Sequence, residues 1–243
     1  MIEFGGGPRV LVTRAAEDAP ALVHALALAG FEPVLAPLIE RRWAPLALAE
    51  VARAHPKADW VLITSATAAD VIAAGAPSAW RDARWAAVGP ASAGRLLELG
   101  IRCTSIPEKA TAHDLVVSLG DLTGQTVIYP RADLATPVAA DGLRLAGASV
   151  VDVVAYENVA PTGFGARLRS QLPVAATTVL SGSAAERLAL AVPPEARDGL
   201  GKVVVIGPSA ARVATERGLA VDVMADPHTV PGVVDAVLRL LRP

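Results

Sequence analysis

The chain is poor in cysteine, tyrosine and lysine, and it has no long uncharged apolar run. Its single cysteine, Cys103, excludes an internal disulfide framework and a CxxC metal knuckle. Lysine occurs only at Lys57, Lys109 and Lys202. The basic residues are therefore mostly arginine, which reads as a compositional bias. Basic blocks interleaved with aromatics are missing and the formal net charge is −2, so no nucleic-acid partner is expected. Although 53% of the residues are hydrophobic, the longest apolar stretch, Ala19 to Phe31, contains His24 and is bounded by Asp18 and Glu32. That falls short of the ~18–20 uncharged residues of a spanning helix, and no membrane association is expected. The amino terminus, MIEFGGGPRV, lacks the apolar core of a secretory signal, which predicts a reduced, cytoplasmic compartment.

Familiar catalytic signatures are absent too. No GxGxxG follows a strand pattern, and no P-loop or GxSxG elbow occurs. The Gly5-Gly6-Gly7 run precedes the first expected strand, so it reads as a loose terminus. His24, His55, His113 and His228 are scattered without metal spacing. Cys103 follows a helix ending at Gly100, in an expected strand, where a structural thiol is the simpler role. The chain reads as an enzyme with neither metal nor cofactor, or as a binder.

What the chain does contain is an internal repeat. VLVTRAAEDAPALVHALALAGFEPVLAPLIE (10–40) lines up with VIYPRADLATPVAADGLRLAGASVVDVVAYE (127–157), placing Arg14 on Arg131, Gly30 on Gly147 and Glu40 on Glu157. VLITSATAADVI (61–72) lines up with TVLSGSAAERLA (178–189), with Ser65 on Ser181. AAVGPASAGRLLELGI (86–101) lines up with VVIGPSAARVATERGL (204–219), with Gly89 on Gly207, and Thr111 falls on Thr229. Three blocks in one order at a nearly constant offset indicate a duplicated domain, which a generic series of strand–helix units does not supply.

Each block reads as strand, short polar turn, helix. The strands at Val10–Val12, Val61–Ile63, Val127–Ile128 and Val203–Ile206 are continuous apolar runs, as expected for strands buried on both faces of a parallel sheet. Leu22, Leu26 and Leu28 give the first helix its apolar spacing before the stop at Gly30. The predicted fold is α/β: two doubly wound, flavodoxin-like parallel-sheet domains. Val34–Arg41 and Val151–Ala160 each hold a strand pattern that ends in proline or charge instead of entering a helix promptly. The simplest geometry makes these the crossings between domains. The first domain is then 1–37 with 160–243, the second is 42–152, and 38–41 with 153–159 form a two-stranded antiparallel bridge. A split into 1–120 and 121–243 is the alternative.

In such sheets ligands bind outside the carboxyl ends of the strands. The turns expected there are Thr13-Arg14, Thr64-Ser65, Gly89-Pro90-Ala91-Ser92, Pro130-Arg131, Ser181-Gly182-Ser183 and Gly207-Pro208-Ser209. They expose backbone N–H groups and helix N-termini, which suit anions. Helix capping by the serines and threonines is the simpler role for any single turn, but the recurrence in both halves favours one extended polyanion clasped across a cleft. Tyrosine occurs only at Tyr129, closing a strand, and at Tyr156, in the second crossing segment. The Tyr156 phenol either supplies a proton in the cleft or simply packs on the bridge.

The ordered set LVTR, LITS, VGPASA, the Pro107-to-Thr111 element, YPRAD, VVAYENV, LSGSAA and VIGPSAA resembles the uroporphyrinogen-III synthases over essentially the whole chain. The resemblance implies two α/β domains on a two-stranded bridge. It also implies cyclisation of hydroxymethylbilane to uroporphyrinogen III, with inversion of the last ring and loss of water, in haem, sirohaem or cobalamin biosynthesis. Position by position, it implies that Ser65, Ser92, Ser181 and Ser209 line the cleft and that Tyr156 assists departure of the hydroxyl. Thr64, Gly182 and Ser183 belong to the same turns. Where many members have proline after the serine, this chain has Ala66 and Gly182. Arg14 and Arg131 come from the repeat: they balance substrate carboxylates or form helix-end salt bridges. The implied partners are the tetrapyrrole substrate and, in passing, hydroxymethylbilane synthase; a monomer is expected. A hinge-bending binder of a small anion and a nucleotide-sugar transferase are the rival readings, and the second is disfavoured because the turns carry hydroxyls and glycines instead of carboxylates.

Overall fold

In a computed structural model, residues 6–76 and 78–242 are described. Gly5 of the triple-glycine run lies outside them. The chain runs β1 (Arg9–Val12), α1 (Pro20–Leu28), β2 (Glu32–Leu35), β3 (Glu40–Trp43), α2 (Pro45–Ala54), β4 (Trp60–Ile63) and α3 (Ala66–Gly75). It continues with β5 (Arg84–Ala87), α4 (Pro90–Glu98), α5 (Ala112–Leu119), β6 (Thr126–Ala132), α6 (Val138–Leu145) and β7 (Ser149–Val159). Then follow α7 (Phe164–Arg169), β8 (Ala176–Val179), α8 (Gly182–Ala191), β9 (Lys202–Val205), α9 (Pro208–Glu216), β10 (Val223–Met224) and α10 (Val230–Leu241), with a 3₁₀ turn at Pro194–Leu200. Two compact units result: 1–40 with 159–243, and 41–158.

The first unit holds a sheet ordered β10-β9-β8-β1-β2, and its neighbouring strands pair in parallel. Its strands are apolar at successive positions because helices cover both faces. Leu11, Val179, Val203 and Val205 pack with Leu168, Leu188 and Ala214 of α7, α8 and α9. Val10, Val12, Ala176 and Val204 pack with Leu22 and Leu26 of α1 and with Val233 and Val237 of α10. Leu28, expected in the α1 stripe, is instead 73% exposed. Two residues beyond Leu26 turn its side chain through roughly 200° around a 3.6-residue helix, away from the sheet.

The second unit repeats this order. Its sheet runs β3-β7-β6-β4-β5, with parallel pairing through β7, β6, β4 and β5. Val10 pairs with Ala176 in the first sheet as Val127 pairs with Trp60 in the second. Even the short fifth strand repeats, since Val223 pairs with Val204 as Ser105 bridges Ala86. Val61, Ile63 and Ile128 face α2, α3 and α4, whereas Trp60, Leu62, Val127 and Tyr129 face α5 and α6. Gly30 and Gly147 close α1 and α6 at φ of +82° and +89°, the left-handed region that favours glycine after a helix.

The expectations for Pro130-Arg131, Tyr129 and Cys103 are corrected. Pro130-Arg131 is not a turn, because β6 continues to Ala132 against β7. Proline is tolerated there because the β4 pairing reaches only Ile128, leaving β6 an edge on that side. Tyr129 accordingly lies inside β6 and does not close it. Cys103 lies in the irregular segment before Ser105, because the fifth strand of this sheet shrinks to one bridge. The crossing segment 153–159 is the continuation of β7, which runs unbroken from Ser149 to Val159 with β3 as its other neighbour.

Candidate functional site

At the carboxyl end of β4, Thr64 and Ser65 continue the strand's alternation, so consecutive hydroxyls address opposite faces of the sheet. Ser65 Oγ accepts the Ala68 N–H at 3.2 Å and caps α3. It also accepts the Tyr156 O–H at 3.1 Å. With both acceptor sites engaged, the Ser65 hydroxyl is left with its own proton to donate. Tyr156 is 7% exposed and packs in the cluster of Ile63 and Ala68. Its carbonyl accepts the Asp133 N–H at 3.0 Å, and Asp133 Oδ1 accepts the Asn158 N–H at 3.1 Å, which clamps this stretch of β7.

On the other face, Tyr129 is 2% exposed and packs with Leu62 and Val127 under α5 and α6. Burial pushes the Tyr129 phenol up; the group is neutral at physiological pH. Arg131 Nε donates to Asp152 Oδ1 at 2.6 Å, and its Nη1 donates to the carbonyl of Ala132 at 2.9 Å. The second turn of this unit, Gly89-Pro90, starts α4 without a side-chain cap.

The first unit presents a related pair of turns. Ser181 caps α8 by accepting the Ala184 N–H at 3.1 Å, and its Oγ lies 3.2 Å from that of Ser183. Gly207-Pro208 starts α9, again with no side-chain cap. A Cβ added to Gly182 would lie 3.5 Å from Ser209 Oγ, so Ser181, Gly182, Ser183 and Ser209 share one surface. Arg14 pairs with Asp18 at 3.7 Å. Thr13 is fully buried and donates to the Thr178 carbonyl at 2.7 Å, a packing role. Ser92 and Ser209 are not equivalent: Gly89 and Gly207 align as caps, which places Ser209 on Ala91 and Ser92 on Ala210. Ser209 is exposed and Ser92 only 5% exposed.

Tyr156, Thr64 and Ser65 thus come together in the second unit, and the Ser181–Ser183 turn meets Ser209 in the first. The Asp133 clamp was not read from the sequence. Burial pushes the half-buried Cys103 thiol up, which keeps it protonated and a poor nucleophile. Among the described residues no cluster of three or more His, Cys, Asp or Glu side chains is arranged to hold a metal, and no helix is long and apolar enough to cross a membrane. A concavity of about 680 Å³ in the second unit is lined by Ile72, Arg81, Trp85, Leu99, Ile101 and Arg102, among others. It lies by the start of β5 and the end of α4, away from these turns.

A relative from Methanothermobacter thermautotrophicus is 32% identical over 161 residues, and the uroporphyrinogen-III synthase of Synechococcus elongatus is 29% identical over 167. These matches cover 63% and 64% of this chain, and 64% and 62% of the relatives. The chain therefore spans just under two thirds of the length of the curated relatives it matches. The solved structure of uroporphyrinogen-III synthetase from Helicobacter pylori has the same fold, at a TM-score of 0.69 and 16% identity, covering 96% of this chain and 99% of that one. The family model described as uroporphyrinogen-III synthase HemD matches residues 20–235. This chain belongs to the uroporphyrinogen-III synthase family.

Proposed function

We propose that this chain cyclises hydroxymethylbilane to uroporphyrinogen III, inverting ring D and releasing water, in haem, sirohaem or cobalamin biosynthesis. The observation that carries the reading, beside family membership, is the Tyr156–Ser65 hydrogen bond of 3.1 Å at the carboxyl end of a parallel sheet. The Tyr156 phenol donates to Ser65, whose own proton is directed onward. Transfer along this pair delivers a proton to the leaving hydroxyl, which departs as water. The resulting azafulvene is attacked by the substituted carbon of ring D, and the spiro intermediate fragments and recloses. On reclosure the unsubstituted carbon of ring D loses its proton, which returns along Ser65 to the Tyr156 phenolate as that pyrrole regains its aromaticity.

The chain's further task is to hold the substrate in the folded conformation that favours inversion, because hydroxymethylbilane closes unaided to the type I isomer. The substrate has eight carboxylates, and the protein's net charge of −2 calls for local attraction. The starts of α4 and α9, uncapped by side chains, offer backbone N–H groups of the right sign. In this reading Thr64, Ser181, Gly182, Ser183 and Ser209 flank those sites, and buried Ser92 supports the α4 turn from below. Arg14 and Arg131 act with their carboxylate partners Asp18 and Asp152, tuning the field instead of serving as free cations. We place the domains at 1–37 with 160–243 and at 42–152, with 38–41 and 153–159 as their antiparallel bridge. The working form is a cytoplasmic monomer receiving its substrate from hydroxymethylbilane synthase.

The test supplies freshly generated hydroxymethylbilane, oxidises the products and separates the two uroporphyrin isomers. An excess of type III over the protein-free control is expected. Type I alone from folded protein refutes the reading and leaves an anion-binding module.

A further inference from the structure

Along β7, Val151, Val153 and Ala155 face the layer of α2, α3 and α4, as the two-residue alternation of a strand requires. Tyr156 faces that same layer, which alternation alone forbids for the residue after Ala155. The register gives the reason. Arg131 pairs with Val154, but Ala132 pairs with Tyr156, so Ala155 and Tyr156 both stand opposite Ala132. This extra residue is a β-bulge, which re-aims the side chains beyond it. In an unshifted ladder Ala132 would meet Ala155, and Tyr156 would turn to the α5–α6 layer, away from Ser65.

Bulges are rare between parallel strands, and this one is held by Asp133, the first residue after β6. Its N–H donates to the Tyr156 carbonyl at 3.0 Å, which ties the re-aimed residue back to β6. Its Oδ1 accepts the Asn158 N–H at 3.1 Å and the Asn158 side-chain amide at 3.4 Å. The Ala132 carbonyl is already engaged, by the Ala135 N–H at 3.2 Å and by Arg131 Nη1 at 2.9 Å. The Asp133 carboxylate therefore supplies β7 with an acceptor where β6 has turned away. A carboxylate also has the wrong charge to grip a polyanionic substrate, so its bonds to the chain's own backbone are the relevant ones.

We propose that Asp133 is a positioning residue: by holding the β7 bulge it keeps the Tyr156 phenol on the face of Ser65 and so directs proton delivery. The proposal deepens the synthase reading and rests on it. Asp133 acts through Tyr156, so its effect falls on turnover and not on binding.

The experiment compares Asp133→Ala, Asp133→Asn, Asp133→Glu, Tyr156→Phe and the double variant Asp133→Ala/Tyr156→Phe. Asp133→Ala is expected to lower kcat about fivefold, as for one hydrogen bond lost, while KM stays within about twofold. Asp133→Asn keeps the Oδ1 acceptor without the charge and is expected to retain turnover. Asp133→Glu keeps the charge but displaces the acceptor by one methylene, and it is expected to lose turnover as Asp133→Ala does. If Asp133→Ala does not fold, the Asn and Glu variants decide between acceptor and charge. In the Tyr156→Phe background, Asp133→Ala is expected to cost nothing further. Labelling the ring Cζ of the two tyrosines with ¹³C gives a readout independent of activity. Asp133→Ala and Asp133→Glu are expected to move the Tyr156 resonance toward its position in Ser65→Ala, and to leave Tyr129, on the other face, in place. Unchanged kcat with a lowered melting temperature, turnover retained by Glu but not by Asn, additive losses in the double variant, or an unmoved Tyr156 resonance would each overturn the proposal. If the unaltered protein yields no type III product, the synthase reading fails by itself, and the resonances still decide whether Asp133 positions Tyr156.

Discussion

Replacing Ser65 with alanine tests the central geometry against a control within the same chain. Ser65 Oγ accepts two hydrogen bonds, from the Ala68 N–H at 3.2 Å and from the Tyr156 O–H at 3.1 Å. Loss of the helix cap costs about 1 kcal/mol. Loss of the acceptor for a phenol that is 7% exposed costs about 1 kcal/mol more, so Ser65→Ala is expected to destabilise by about 2 kcal/mol. Ser181→Ala removes the equivalent cap on the Ala184 N–H at 3.1 Å. Its other neighbour, Ser183, is only partly buried and turns to water, so about 1 kcal/mol is expected. Urea unfolding of both variants, followed by fluorescence and circular dichroism, measures the difference. Amide exchange at Ala68 and Ala184 reports each cap locally. Equal losses in the two variants, within about 0.3 kcal/mol, would mean that the Tyr156–Ser65 bond contributes nothing and would remove the basis for proton transfer along it.

Tyr156→Phe keeps the ring and its packing and removes one hydrogen bond, so it is expected to lower type III synthesis about tenfold without abolishing it, and the isomer assay measures this directly. Gly232→Ala places a Cβ 2.0 Å from the Pro227 carbonyl oxygen. The clash is expected to outweigh the ~1 kcal/mol gain in helix propensity and lower the melting temperature. Tyr129 binds its proton more tightly when folded than when unfolded, because burial raises its pKa above the ordinary value of 10.0. Its contribution to stability is therefore complete below about pH 10 and declines as pH rises toward the folded value. Unfolding midpoints above pH 10 are expected to fall more steeply for the native chain than for Tyr129→Phe; parallel slopes would contradict this.

The βα alternation and the duplication were legible because each leaves a direct mark on the residues. Strands such as WVLI and KVVV, and caps such as Ser65 and Thr229, depend on neighbours two to four positions away, and the repeat shows wherever the same local chemistry recurs. The site was legible only at its turns. Ser65 and Ser181 read correctly as helix starts, whereas Ser92 reads the same as Ser209 until α4 and α9 are aligned on their caps. One turns inward and the other outward because they occupy successive positions of a helix, about 100° apart.

By itself the sequence determined the α/β class, the duplicated plan and the helix starts at Ser65, Gly89, Ser181 and Gly207, since periodicity, capping and turn chemistry are local properties. Only the tertiary structure decided that β6 runs on through Pro130, that β7 continues unbroken past Tyr156, and that Leu28 faces solvent. It alone brought Tyr156 to Ser65 across ninety-one positions of chain. That pairing follows from strand order, which places β4 beside β6 and β6 beside β7. Strand order is set by how the helices cover both faces of the sheet, a balance of burial that no short stretch of residues encodes.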